Sequence, residues 1–112
     1  MKRPGKPGQI YLLCAVGTSF WKIGFSAHSV GRRAMDIQCA CPFEVRIAGV
    51  APGTMRIERR IHRALWRYRF NGEWFSLPER IAWRVLRQFA KYGWSVVSEG
   101  SDAQAEATQA GA

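Results

Sequence analysis

The longest uninterrupted apolar run in the chain is residues 10–16, seven positions that end at Gly17-Thr18-Ser19. Strand side chains point alternately to the two faces of a sheet, so a run that is apolar at both sets of positions is stable only with both faces covered. The expectation is a central strand covered on both sides. A span of seven also excludes a membrane-crossing helix, which needs about 20 apolar residues. The opening Met1-Lys2-Arg3-Pro4 lacks the apolar region and cleavage site of a signal peptide. Both points lead to the expectation of a cytoplasmic protein with no membrane association.

Around that strand the remaining pattern places itself. Residues 20–25 read as its hairpin partner across the Gly17-Thr18-Ser19 turn. Residues 29–38 carry Val30, Ala34 and Ile37 at helical spacing and stop before Pro42. Residues 43–50 alternate Val45 and Ile47 with Glu44 and Arg46, a third strand closed by Pro52-Gly53. From residue 54 to 68, Ile57, Ile61, Ala64, Leu65 and Tyr68 recur as one apolar stripe of a helix. Ser76-Leu77-Pro78-Glu79 has the spacing of a capping box and opens a last helix to residue 92, with Ile81, Val85, Leu86 and Phe89 as its buried face. The predicted fold class is α/β (α+β): a small, mainly antiparallel three-stranded sheet flanked by helices, in the order β-β-α-β-α-α. Residues 1–8 read as a flexible basic arm, 9–98 as the single domain and 99–112 as a disordered tail. With 112 residues, the chain can bury a core without disulfides or structural metal.

Charge narrows the partner. The formal net charge is +9, but the last 14 residues hold three acids and no base, so residues 1–98 carry 17 basic against five acidic side chains, a net of +12. Thirteen of the 17 are arginine, whose planar fork grips phosphate with two hydrogen bonds. A polyanion is the natural partner, and nucleic acid suits it better than a membrane surface because no helix pairs a basic face with a spare apolar one. The cysteines Cys14, Cys39 and Cys41 match neither a zinc site nor a CxxC redox pair and are expected to be free thiols.

Within the 54–68 helix, Glu58 and His62 fall on one border of the apolar stripe, while Arg56, Arg60, Arg63 and Arg67 gather on the other. Glu58 reads either as an ion-pairing surface carboxylate or as a hard oxygen ligand for a divalent cation. His62, one turn on, could touch the same site or be a satisfied polar group at the core border. Tyr11 is the one hydroxyl-bearing side chain in the apolar strand. Lys22 is the only lysine between residues 7 and 90 and sits mid-strand among apolar neighbours, where a cation is costly without a partner. An ammonium beside the phenol would lower the pKa of Tyr11 and make it a better base.

Gln9-Ile10-Tyr11, then Lys22-Ile23-Gly24-Phe25-Ser26, Arg32-Arg33, Glu58, His62 and Asn71-Gly72-Glu73-Trp74-Phe75 together resemble the GIY-YIG nuclease superfamily, most closely its small phage-type branch with a KIG second signature. The match covers about residues 9–77. The resemblance implies metal-dependent hydrolysis of a DNA phosphodiester, with Mg²⁺ or Mn²⁺ as cofactor and DNA as partner. It assigns Tyr11 to the tyrosine that helps activate the attacking water, Glu58 to the metal-binding glutamate and Asn71 to a late site asparagine. Arg32 or Arg33, the latter preferred, matches the arginine that steadies the scissile phosphate, with Lys22 helping to counter the developing charge. Arg56, Arg60, Arg63, Arg67 and Arg69 are the expected DNA-binding residues. Two departures stand out: Lys22 replaces the second-signature tyrosine, and Gln9 stands where glycine would. A catalytically inactive DNA-binding module of the same fold is the alternative, and a protein-interaction surface using Trp66, Trp74 or Trp83 a third.

Overall fold

The computed structural model describes residues 7–92. The first six residues of the expected basic arm, residues 93–98 and the expected tail at 99–112 lie outside the described residues. In chain order the elements are β1 (Gly8–Ala15), β2 (Phe20–Ser26), α1 (Val30–Cys39), β3 (Val45–Gly53), α2 (Met55–Ala64), a 3-10 turn (Trp66–Tyr68), β4 (Arg69–Asn71), β5 (Trp74–Ser76) and α3 (Glu79–Tyr92). The strands form one antiparallel sheet in the order β3-β1-β2-β5-β4.

β1 is the central strand its composition demanded, covered on both sides. Ile10 and Leu12 point into the larger core with Ile23, Phe75 and the α3 residues Ile81, Val85, Leu86 and Phe89. Tyr11 and Leu13 point the other way and meet Val30, Ala34 and Ile37 of α1. All four positions expected to form the buried face of α3 are buried, together with Ala82.

Four expectations need correction. The sheet has five strands rather than three, because Arg69–Asn71 and Trp74–Ser76 add a hairpin beyond β2. Strands of three residues are too short to show period-two alternation, and Gly72, at φ +57°, makes the turn between them. Pro52-Gly53 does not close β3: the strand runs on through Gly53, with Gln9 opposite Pro52 and Gly8 opposite Gly53. β3 is an edge strand of the sheet, where a residue lacking N–H is tolerated.

The third correction concerns α2, which ends at Ala64, where the backbone tightens into the 3-10 turn rather than continuing to Tyr68. Its stripe is also rotated from the expected one. Ile57 is 39% exposed, and Glu58 is the buried residue of the helix. Fourth, Ser76 does not cap α3: it belongs to β5, and its Oγ pairs with Ser19 Oγ at 2.9 Å. The Pro78 carbonyl instead accepts from the N–H groups of Ile81 and Ala82. The two earlier helices are capped by side chains, α1 by Ser29 and α2 by Thr54.

All three cysteines are free, as expected. No helix among the described residues is long and apolar enough to cross a membrane.

Candidate functional site

Antiparallel pairing places the first candidates side by side. Tyr11 stands opposite Gly24, Leu13 opposite Lys22, and Lys22 opposite Trp74, so Tyr11, Lys22 and Trp74 share the α1 face of the sheet. The Tyr11 ring lies directly across the backbone of Gly24, where a Cβ would collide with its hydroxyl and Cζ. Gly24 thus leaves the space that the phenol fills, and Tyr11 is 1% exposed.

The Arg33 guanidinium, on α1, comes close enough to the Tyr11 hydroxyl to favour its ionised form. The tyrosine pKa is nevertheless raised: burial is the largest cause, the Glu73 charge adds to it, and Arg33 only partly offsets it. The expected lowering by Lys22 is therefore overturned. The Lys22 ammonium turns instead to Glu73, with Nζ–Oε1 at 3.0 Å, and sits 5.7 Å from the centre of the Trp74 ring. At neutral pH the phenol keeps its proton, so Tyr11 acts as a hydrogen-bonding group rather than as a phenolate.

β5 pairs with β2 only from Phe20 to Lys22. Beyond that point the Ile23 carbonyl is met by His62 of α2, with Nε2 to O at 2.7 Å, while the His62 ring packs edge-on against Phe75. This docking carries Glu58, one turn earlier, into the protein at 6% exposure. Its Oε2 lies 4.0 Å from His62 Nε2. The Glu73 carboxyl lies close enough to act on that of Glu58. The Glu58 pKa is raised, by burial first, with the nearby Glu73 carboxyl adding to it and His62 and Arg59 opposing it.

Two ionised carboxylates near each other repel, a cost that a cation between them relieves. Among the described residues no three His, Cys, Asp or Glu side chains form a cluster able to hold a metal ion. The donor set on offer is therefore the Glu58–Glu73 pair. Two hard carboxylate oxygens suit Mg²⁺ or Mn²⁺, since Mg²⁺ takes one or two carboxylates and completes its shell with water and phosphate. His62 donating Nε2–H to the Ile23 carbonyl has no lone pair on that nitrogen for a metal.

Glu73 was not singled out from sequence. The signal lay in Gly72-Glu73, a glycine-first pair of the kind that makes a two-residue hairpin turn.

The other candidates spread around this centre. Lys22, Arg33, Asn71 and Trp74 line a cavity of about 550 Å³ between α1 with its following loop and the β4–β5 hairpin. Arg32 lies instead in a neighbouring groove with Ser29 and Met55, which Arg33 also borders. Of the two arginines, only Arg33 reaches Tyr11. Arg56, Arg60, Arg63 and Arg67 are exposed, on the side of α2 and its extension away from buried Glu58. Arg69 is tied into its own hairpin, donating from Nε to the Gly72 carbonyl at 3.1 Å and covering the Trp66 ring at 4.9 Å.

An α+β domain that gathers a tyrosine, an arginine, a lysine and two carboxyls around β2 belongs to a recognisable class. Residues 8–90 match the T5orf172 domain, and the chain belongs to that family, which is related to the GIY-YIG nuclease fold. Neither a curated protein nor a solved structure gives a significant match.

Proposed function

We infer that the protein is a divalent-cation-dependent DNA endonuclease that hydrolyses phosphodiester bonds. The observation that carries this reading is the convergence, from β1, β2, α1, α2 and the β4–β5 turn, of Tyr11, Lys22, Arg33, Glu58 and Glu73. Positive and negative groups meet there in the mixture that phosphate and a cation together require.

In this reading Glu58, with Glu73 beside it, holds Mg²⁺ or Mn²⁺, whose chemistry when bound is to polarise a phosphate oxygen as a Lewis acid. Arg33 and Lys22 stabilise the charge that develops on the phosphoryl oxygens. Tyr11 orients the attacking water through its hydroxyl, and the proton leaving that water passes through the hydroxyl to solvent. The water oxygen forms the new bond to phosphorus. The bridging ester oxygen departs and takes a proton from solvent.

Relaxed or nicked product from supercoiled plasmid, formed with Mg²⁺ or Mn²⁺ and abolished both by EDTA and in Glu58→Gln, is the expected result. An intact plasmid under every metal condition would overturn the nuclease reading. The Lys22–Glu73 bridge and the protonated phenol favour, as second reading, a DNA-binding module without catalysis. That reading predicts plasmid binding in a gel shift with no nicking.

A further inference from the structure

The cavity beside the site is lined mostly by aromatic and apolar side chains, although its neighbours are charged. Phe20, Phe43, Phe70 and Trp74 contribute rings to it, and Lys22 and Arg33 supply cations. Two of those rings are left facing solvent, Phe43 at 47% and Phe70 at 66% exposure. Phe43 is not on a loose loop. Gln38 pins the segment between α1 and β3 with three hydrogen bonds, donating from Nε2 to the Phe43 carbonyl at 2.8 Å and the Cys41 carbonyl at 3.4 Å, and accepting at Oε1 from Val45 N–H at 2.6 Å. Phe70 is likewise held, its ring 4.8 Å from that of Phe20. Rings held by these contacts, around a space of about 550 Å³, form a stacking surface.

We propose that this cavity receives a single unpaired DNA base, stacked between Phe43 and Phe70, with the adjoining phosphate on Arg33. This rests on the nucleic-acid reading above and gives it a substrate class: DNA with a bulged, displaced or single-stranded nucleotide rather than continuous duplex. Three features fit that occupant. A base is flat and apolar on its faces, which suits the rings. Its edge needs donors and acceptors, which Asn71 and Asp36 offer from the cavity lining. Its backbone is anionic, and Arg33 borders both this cavity and the groove containing Arg32, so a strand leaving the cavity meets a second guanidinium. A base in a paired stack cannot reach such a pocket.

The test compares a fully paired duplex with the same duplex carrying one bulged 2-aminopurine, by fluorescence anisotropy in EDTA at physiological salt. The bulged duplex binds about tenfold or more tightly than the paired one, and the 2-aminopurine emission is quenched by stacking. Phe43→Ala and Phe70→Ala remove both the preference and the quenching, leaving the affinity for paired duplex unchanged. Because Phe70 packs on Phe20, melting curves accompany both variants, and Phe43→Ala decides the matter if Phe70→Ala is less stable. Equal affinity for the two duplexes, or a preference that survives Phe43→Ala, overturns the proposal. Since EDTA removes the metal, these outcomes are independent of cleavage: nicking of plasmid without a bulge preference leaves the nuclease and removes the base pocket.

Discussion

A carboxylate shut away from water works against the fold that contains it, and Glu58 is in that position. Its raised pKa means that the folded state holds the proton more tightly than the unfolded chain does. Stability contributed by the protonated form is therefore present below the ordinary carboxylate range and lost as pH rises through the raised value. Glu58→Gln, which keeps the shape and removes the charge, is expected to melt above wild type in EDTA at neutral pH, with the gap closing as pH falls toward 4. Thermal melts across that range check the sign. A gap that widens on acidification would contradict it. Tyr11→Phe makes the complementary test, because the ring over Gly24 stays and only the hydroxyl contact to Arg33 is lost. The expected stability loss is that of one hydrogen bond, about 1 kcal/mol. Cleavage should fall by roughly 10² to 10⁴, the usual worth of a positioned proton-transfer group. Rates within a few fold of wild type would make Tyr11 a core residue and nothing more.

Gln38, absent from any motif, shows at the level of elements how one side chain can organise a segment. Its three hydrogen bonds shape the connection between α1 and β3, so Gln38→Ala is expected to destabilise the domain by about 1 to 3 kcal/mol. It should also expose residues 40–44 to protease before the rest of the chain, a pattern that partial digestion with mass mapping would detect. The sequence made the long elements legible for a physical reason. β1 is apolar at every position from Ile10 to Ala15 and α3 keeps its apolar spacing for its whole length, so burial alone dictates both. β4 and β5 gave no such pattern, and the pairing of Trp74–Ser76 with β2 is set by tertiary context. α2 misled in one respect: its apolar stripe implied that Ile57 is inside and Glu58 at the border. The His62 contact to Ile23 turns the helix so that the acid is buried. Glu58, Tyr11, Lys22 and Arg33 could be picked from motif spacing, whereas Glu73 required knowing that its hairpin folds back on β2.

For the whole molecule, charge distribution governs the first encounter with a polyanion. The net +12 of residues 1–98 predicts that duplex affinity falls steeply with salt, with a log–log slope of about −0.9 for each phosphate neutralised. Binding titrations over a series of salt concentrations would read that slope, and a flat line would remove the electrostatic account. The sheet order β3-β1-β2-β5-β4 has a further consequence. β1 is bonded along its length to β2 and β3, so its amide hydrogens should exchange with deuterium only when the entire domain unfolds. β4 is bonded to β5 alone, and β5 to β2 over a short stretch, so that hairpin should exchange through local opening. Tyr11 is thus anchored in the slowest-exchanging strand, while Asn71 and Glu73 sit where the hairpin opens more readily. Phe75 holds β5 in the core, so that opening is confined to β4 and the turn, and bound DNA should slow exchange at residues 69–73 far more than at residues 10–15.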